Sequence, residues 1–199
     1  MASLGAKVLH SRCVEIAKKY GVELLVCSSL NRNSGTIVRE NTKMEKMLIS
    51  GVAADKNVAK IRVAGLGNDP DSTFKLLNLL DKNNLNIDVM IQSLGKDGTK
   101  SVSFTVAKTD LNRTLEVLSA NKGQLGIQKL DSDEKVAKVS VIGAGIRSHS
   151  GVAAKMFGAL ANAGINTEMV TTSEIRITAL INEDYTDLAM RAIHETFLE

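Results

Sequence analysis

The sequence predicts an α+β protein of two ferredoxin-like βαββαβ units. The first unit is inserted into the second, and a helix and strand of a larger α/β domain precede both. Three observations predict this. The second half of the chain repeats a pattern of the first half, 78 to 80 positions later. Each copy alternates strand-type and helix-type apolar spacing. The second copy lacks one strand, and one unassigned β-type run precedes the first copy.

Residues 1–30 have the pattern of one edge of a larger α/β domain. Five residues recur at helical spacing on one face, namely Leu9, Cys13, Ile16, Ala17 and Tyr20. The apolar run Val22–Cys27 is typical of a strand buried on both faces. Such a strand needs parallel neighbours and covering helices, and the nearby sequence supplies none. Residues 31–46 are then predicted to be a polar linker with a turn at Asn33–Gly35.

The internal repeat has two matching parts. Val58–Gly67 (VAKIRVAGLG) matches Val136–Gly145 (VAKVSVIGAG), and Leu85–Ser93 (LNIDVMIQS) matches Ile165–Ser173 (INTEMVTTS). In each copy a β-rich run ends in Gly-x-Gly, and a helical pattern follows. The apolar face of that helix carries Leu76, Leu77 and Leu80 in the first copy, and Ala153, Met156, Phe157 and Leu160 in the second.

The remaining elements of the first copy follow in order. Asp69 is predicted to cap the first helix, with Pro70 as its first residue. After that helix, the pattern predicts a strand over Asn86–Ser93, a turn at Asp97-Gly98, a strand over Ser101–Val106, a second helix, and a last strand over Leu125–Leu130.

The second copy stops before its last strand, because its second helix (about Tyr185–Phe197) runs to the end of the sequence. An open position beside a core strand would expose unpaired backbone groups. We therefore assign residues 47–56 to that position. This assignment inserts the first module, residues 57–131, into the second module, residues 135–199.

Composition and charge argue against several function classes. The net charge of +3 without a Lys/Arg cluster indicates neither a nucleic-acid nor a membrane partner. With 3% aromatic residues and no Trp, a base-stacking platform is not expected. No apolar stretch approaches the ~20 residues of a membrane span, and no signal-peptide core is present, so we predict a cytoplasmic protein. Cys13 and Cys27 are predicted to be small buried residues rather than a disulfide.

No catalytic motif is recognisable. His10, His149 and His194 lack metal-ligand spacing, and we expect them to face solvent or to cap helices. The turn Gly143–Ser148 (GAGIRS) resembles a dinucleotide-binding fingerprint, with Glu168 about twenty residues further on. A serine replaces the third glycine, and a hairpin follows soon after the helix. We therefore reject nucleotide binding.

The Gly-x-Gly turns suit a small zwitterion. Glycines allow close approach of a ligand to the backbone, and the helix start offers N–H groups and a positive dipole end to a carboxylate. We expect the start of the next strand, Asn86–Asp88, to lie across from this turn, where Asp88 and Gln92 could hold an ammonium or hydroxyl group. An α-amino acid carries this combination. The alternative is that Asn86 and Asp88 are ordinary polar residues at a strand entry.

Four motifs carry a family resemblance, namely Gly5–His10 (GAKVLH), Ser28–Thr36 (SSLNRNSGT), Asn86–Asp88 with Gln92-Ser93, and Thr172–Ile177 (TSEIRI). In this order they resemble aspartate kinase along the whole chain. The resemblance runs from the close of the kinase domain (residues 1–30) through two tandem ACT domains. It identifies the two βαββαβ units as ACT domains, and the inserted arrangement is the pattern of that family.

The resemblance implies the regulatory region of an enzyme that phosphorylates the side-chain carboxylate of L-aspartate, with ATP and magnesium. Its ACT pair would bind lysine and/or threonine at interfaces between ACT domains, for feedback inhibition of amino-acid biosynthesis. The implied protein partner is a second copy of the chain, or a catalytic subunit. The nucleotide and aspartate machinery of the family is missing, so we expect no cofactor in this chain and no kinase activity from it alone.

The resemblance also carries effector-contacting positions onto both modules. In the first module they are Asn68, Asn86, Ile87, Asp88 and Gln92. In the second module they are Gly145, Ile146, Val152, Ala153, Asn166 and Thr167, with Ser173 nearby at the interface. Asn68 stands where many relatives have Asp, which weakens any prediction about an ammonium or hydroxyl group at that point.

Other function classes stay open at this point. A ligand-free ACT dimerisation module would tolerate Asp88→Ala and Gln92→Ala, and a regulator could respond to another amino acid. A ferredoxin-like RNA binder would need exposed strand aromatics, whereas Phe104 fits the core. An unrecognised enzyme is disfavoured, because the sheet that should surround Val22–Cys27 is missing.

Overall fold

The computed structural model describes residues 1–6, 8–31, 34–39, 49–144, 146 and 149–198. The described residues form a small N-terminal part and two four-stranded sheets. None of the helices among them combines the length and apolar character needed to cross a bilayer.

The N-terminal part contains helix α1 (Ser11–Tyr20) and a two-stranded antiparallel ribbon of β1 (Leu24–Val26) and β2 (Thr36–Val38). The imidazole Nδ1 of His10 accepts a hydrogen bond from the backbone N–H of Arg12 at 3.3 Å. This bond satisfies one of the free N–H groups at the start of α1, so His10 has the capping role expected for it.

Three expectations for this part are corrected. Strand β1 is not buried on both faces, since Leu25 is 61% exposed. Its partner is the antiparallel strand β2, which lies inside the segment predicted as a polar linker. A three-residue strand in a two-stranded ribbon has no second layer to cover it. Cys13 and Cys27 are exposed free thiols rather than buried residues. Residues 32, 33 and 40–46 of the predicted linker lie outside the described residues, and so does Asn33 of the predicted turn.

Module 1 consists of β4 (Ala59–Leu66), α2 (Asp71–Lys82), β5 (Met90–Leu94), β6 (Lys100–Val106), α3 (Leu111–Ala120), α4 (Lys122–Leu125) and β7 (Lys129–Asp133). Its strand order is β5-β6-β4-β7, and all neighbouring strands are antiparallel. The order along the chain is the predicted βαββαβ, with the extra turn of helix α4 before the last strand.

The bounds of three elements in module 1 differ from the sequence expectation. Strand β5 begins at Met90, so Asn86–Asp88 precede it. Strand β7 begins at Lys129, because helix α4 takes the residues before it and Gly126 ends that helix in the left-handed conformation. Helix α2 begins one residue later than expected, and its first N–H donates to the carboxylate of Asp69 at 3.1 Å.

Module 2 consists of β3 (Gly51–Asp55), β8 (Val136–Ile142), α5 (Val152–Asn162), β9 (Thr167–Thr172), β10 (Arg176–Asn182) and α6 (Thr186–Leu198). Its strand order is β3-β8-β10-β9. Strand β3 therefore holds the position in module 2 that β7 holds in module 1. Val52 lies opposite Val141 in this register. The predicted insertion of one unit into the other is confirmed, while Met47 and Leu48 lie outside the described residues.

Each sheet carries helices on one face, and the apolar residues of its strands point to that face. In β4, Ile61 and Val63 are fully buried, whereas Arg62 between them is exposed on the opposite face. The same alternation places Val139 and Val141 of β8 in the core of module 2. Burying a side chain of this size contributes about 1.5–3 kcal/mol, so the alternation fixes which face of each sheet binds the helices.

The two modules pack against each other through a third, smaller core made of Val58, Val89, Val136, Met169 and Leu180. Val58 and Val136 occupy the same position of the repeat, and so do Val89 and Met169. Equivalent residues of the two modules thus meet at one interface. The contact is therefore pseudo-twofold, as in a symmetric dimer whose two halves share one chain.

Candidate functional site

The loop after β4 brings a helix start and a lysine together in module 1. The backbone carbonyl of Asp69 accepts a hydrogen bond from Lys100 Nζ at 2.8 Å, and the same ammonium lies 3.3 Å from Ser72 Oγ. The positive end of the α2 dipole points at this loop. Asn68 lies exposed in it. This end of the module therefore offers positive charge and polar donors, which suit a carboxylate.

Gln92 lies at the same end of module 1, on the helix side of the sheet. Its Oε1 accepts a hydrogen bond from Thr73 Oγ1, in the first turn of α2, at 2.7 Å. Lys100 on β6 lies opposite both Leu66 and Leu94, so β4 and β5 end at the same edge of the sheet, on either side of β6. The structure thus brings Gln92 to the end of the module where Asn68 leaves β4.

Asn86, Ile87 and Asp88 lie at the opposite end of module 1. The backbone N–H of Asp88 donates to the carbonyl of Thr105 at 3.1 Å, and Thr105 lies opposite Lys60 near the start of β4. The expectation that these residues lie across from the Gly-x-Gly turn is therefore wrong for a single module. Strands β4 and β5 both pair antiparallel with β6, so they run parallel to each other. The end of β4 is opposite Lys100 and the start of β5 is opposite Phe104. These two points are therefore about 13 Å apart along the strands, at ~3.3 Å per residue.

Module 2 divides its predicted site residues in the same way. Ile146, Val152 and Ala153 follow β8 at one end. Ser173 lies at the same end, because its N–H donates to the carbonyl of Arg176 at 2.7 Å and Arg176 is opposite Ile142, the last residue of β8. Val152 is buried, so its side chain belongs to the core of module 2 and not to a ligand-contacting surface. Asn166 and Thr167 lie at the other end of this module, because Thr167 is opposite Ile181 and Ile181 is opposite Ala137. Gly145 lies outside the described residues.

An ion pair that crosses between the modules engages Asp88. Its Oδ2 lies 2.5 Å from Nζ of Lys138 on β8, and the same ammonium lies 3.4 Å from Asp55 Oδ2. The pair related to it by the pseudo-twofold axis joins Lys60 of module 1 to Glu168 of module 2. Lys60 and Lys138 hold the same position of the repeat, as do Asp88 and Glu168. Each lysine thus reaches the acid of the other module.

Sequence reasoning missed these ion pairs, although the repeat contained the signal. Both copies begin Val-Ala-Lys, and both carry an acid at the fourth residue of the second matched segment. Two lysines and two acids kept in register over a duplication indicate a reciprocal contact between the copies. The spacing of residues along the chain does not show that the two modules pack against each other, and the contact depends on that packing.

Among the described residues, no group of three or more His, Cys, Asp or Glu side chains could hold a metal ion. The one carboxyl group whose pKa is clearly shifted among these residues is that of Asp97 in the β5–β6 turn. Its pKa is lowered because it accepts a hydrogen bond from the backbone N–H of Thr99. This bond stabilises a tight turn, and Asp97 is exposed. The polar groups of the candidate residues in module 1 are amides and a carboxylate, which can form hydrogen bonds with small charged groups.

An ACT domain model matches residues 139–197, which lie in module 2. The two like sheets, the Gly-x-Gly turns and this match define the class of the protein, which is a tandem pair of ACT modules with ferredoxin-like sheets.

Similar proteins identify the family within that class. The aspartate kinase Ask_LysC of Stutzerimonas stutzeri is 41% identical over an alignment of 199 positions, which covers 99% of this chain and 48% of that protein. The regulatory subunit of aspartate kinase from Thermus thermophilus, in its ligand-free crystal form, is 34% identical with a TM-score of 0.71, over 75% of this chain and 99% of that one. A crystal structure of aspartokinase alpha and beta subunits gives 43% identity and a TM-score of 0.71, over 75% of this chain and 98% of that one.

The chain belongs to the aspartate kinase family and is similar to its regulatory subunits. It spans about half the length of the curated relatives that it matches.

Proposed function

We propose that this chain is the allosteric regulatory part of an aspartate kinase, and that its ACT modules bind an end-product amino acid, lysine and/or threonine. The observation that carries the proposal is the division of the candidate site. In module 1, residues suited to a carboxylate lie at one end, and residues suited to an ammonium group lie at the other. Module 2 divides its candidate residues between the same two ends. A complete amino-acid site then needs a second module beside the first.

The edge strands supply a way to bring the two ends together. Strand β5 is an edge of its sheet, and its apolar residues Ile91 and Leu94 are exposed. If β5 lies antiparallel beside an edge strand of a second copy, the end of one strand meets the start of the other. Asn68 and Gln92 of one copy would then face Asn86 and Asp88 of its neighbour. The partner is therefore a second copy of the chain, bound through its ACT modules.

The proposed mechanism is thermodynamic linkage. An effector that binds one arrangement of the ACT modules more tightly than another shifts the population toward that arrangement. A coupling free energy of ~1–3 kcal/mol would change affinity at a linked site by ~5–150-fold. The change would pass to a kinase domain or catalytic subunit through the N-terminal part, whose exposed apolar residues include Leu25 and Ile37.

We assign kinase chemistry to the whole enzyme and not to this chain by itself. ATP and magnesium belong to the proposal for the whole enzyme. We expect no turnover of aspartate and ATP by this chain alone. The resemblance to an enzyme family of amino-acid biosynthesis also supports the proposed cytoplasmic location.

Calorimetric titration tests the effector proposal. Lysine, threonine, methionine and aspartate are titrated singly, and lysine and threonine also together. We expect saturable binding of lysine or threonine that weakens at least about tenfold in Asp88→Ala and Gln92→Ala, because each removes a charged or polar partner of the ligand. Glu116→Ala, which removes an exposed carboxylate on α3, is the control and keeps wild-type affinity.

The second measurement is the oligomeric state, by light scattering with and without ligand. We expect at least a dimer. A folded, dimeric sample that binds none of the four amino acids would contradict the effector proposal and favour the ligand-free dimerisation module. Binding of methionine or aspartate alone would instead favour a regulator that responds to another amino acid.

A further inference from the structure

Lys138 stands between two carboxylates that belong to different modules. Its Nζ lies 2.5 Å from Asp88 Oδ2 of module 1 and 3.4 Å from Asp55 Oδ2 at the end of β3 in module 2. The Lys138 side chain is 13% exposed, whereas that of Asp88 is 44% exposed. The lysine is thus held inside the interface, while the carboxylate of Asp88 remains open to solvent and to a ligand.

Lys60, the equivalent lysine of module 1, differs in one respect. Lys60 makes a single ion pair within the described part of the chain, with Glu168, whereas Lys138 makes two. Asp133 lies opposite Lys60 on β7, as Asp55 lies opposite Lys138 on β3, yet only Asp55 is within ion-pair distance of its lysine. Lys138 can therefore give up one carboxylate and keep another, and Lys60 cannot.

We propose that Lys138 is a positioning residue that sets the effector affinity of module 1, because it and the ammonium group of the effector compete for Asp88. This inference rests on the proposed role of Asp88 in effector binding. In the free chain Lys138 neutralises Asp88. When an ammonium group binds Asp88, Lys138 retains Asp55, so no buried cation is left without a partner.

The competition links the two modules, since Asp88 belongs to module 1 and both Lys138 and Asp55 belong to module 2. Binding at one module changes the charges around the β3–β8 pair of the other module. A ligand and an ion pair that exclude each other are coupled in both directions. Any change that strengthens the Lys138–Asp88 pair must weaken effector binding, and any change that removes the lysine must strengthen it.

The test is calorimetric titration of lysine and of threonine into four forms of the full chain. These are wild type, Lys138→Met, Lys138→Arg and Lys108→Met. We expect Lys138→Met to bind the effector about two- to fivefold more tightly, as befits loss of a partly exposed ion pair. Lys138→Arg restores the charge and binds as wild type. Lys108→Met breaks a different ion pair between the modules and leaves the affinity unchanged.

A double-mutant cycle separates competition from a general effect of charge. In an Asp88→Asn background there is no carboxylate for which Lys138 and the effector can compete. Adding Lys138→Met should therefore change the affinity for the effector by less than twofold. If Lys138→Met tightens binding equally in that background, the lysine acts through its long-range field and the inference fails. Lys138→Gln is a second neutral variant, and thermal unfolding checks that each protein is folded.

The outcomes also distinguish this inference from the proposed function. If the wild type binds neither amino acid, the proposed effector function fails and this inference fails with it. If the wild type binds, but Lys138→Met binds equally well or more weakly, the effector function stands. In that case Lys138 has only a structural role.

Discussion

At the residue scale, single side chains and single glycines decide which groups meet. Lys60 and Lys138 each bind an acid of the other module, and this contact makes a duplicated sequence into one folded unit. Gly65 has a local effect on the backbone of β4. Its φ of +84° lies in the left-handed region, and a Cβ at this position would overlap the side chain of Gln128. Gly65 lies in β4, where the pairing with β6 shifts register between Ala64 and Leu66. This irregularity near the end of β4, just before the candidate carboxylate site, therefore requires glycine.

This requirement gives a prediction for Gly65→Ala. We expect the free energy of unfolding to fall by about 1–3 kcal/mol, because the left-handed backbone and the overlap with Gln128 both oppose a side chain. Urea unfolding measures the change. Gly123→Ala is the matched control, since Gly123 lies in α4 with open space around its Cα. It should be neutral or slightly stabilising. Equal effects of the two substitutions would contradict the requirement for glycine at position 65.

At the element scale, strand direction decides the shape of the candidate site. Both inner strands of a module are antiparallel to each other, so each outer strand is parallel to the inner strand two places away. The Gly-x-Gly turn and the start of the second strand are then separated by the length of a strand. Strand order also places β3 beside β8, although module 1 separates them along the chain.

The position of β3 gives a prediction for Val52→Ala. Val52 is buried in the core of module 2, so its truncation should lower the free energy of unfolding by about 1–3 kcal/mol. Amide hydrogen exchange should speed up in β8 and β10, and less in β4 and β6. Leu130→Ala on β7, the equivalent strand of module 1, should produce the opposite pattern. Faster exchange confined to module 1 in Val52→Ala would contradict the insertion.

At the scale of the whole molecule, the pseudo-twofold contact holds the two modules together. Lys108 and Glu183 begin equivalent turns after β6 and β10, and they meet each other at 2.6 Å. Residues related by a twofold axis meet in this way only near the axis. Two identical charged residues at this place would repel each other. The two modules instead carry opposite charges here, Lys108 in module 1 and Glu183 in module 2. This difference is possible because both halves of the interface belong to one chain.

The Lys108–Glu183 contact predicts a charge-swap rescue. Lys108→Glu should lower the free energy of unfolding by about 1 kcal/mol, since two carboxylates would then face each other across a partly exposed contact. The double variant with Glu183→Lys should recover most of the loss. Lys129→Glu is the control, because its partner Asp131 lies on the same strand. Thermal or urea unfolding measures the stability of each variant. Failure of the double variant to recover would show that the charge pair does not stabilise the contact between the modules.

The sequence alone determined much of the architecture. The repeat and the alternation in Val58–Gly67 predicted two like modules, and the missing last strand of the second copy predicted the position of β3. These features depend on local spacing and on the need to pair every core strand, so they can be read along the chain. The extent of single strands was less certain, because a short run such as Leu125–Leu130 fits a helical turn as well as a strand.

Only the tertiary structure decided which site residues lie together. The sequence predicts that Asn68 and Asp88 lie across from each other, but parallel strands place them at opposite ends of a module. Asp88 instead meets Lys138, which is 50 residues away along the chain. Spacing along a sequence sets which face a side chain occupies, whereas strand direction and module packing set what it faces. Those two properties depend on non-local contacts, and so the reciprocal ion pairs became visible only once both sheets were in place.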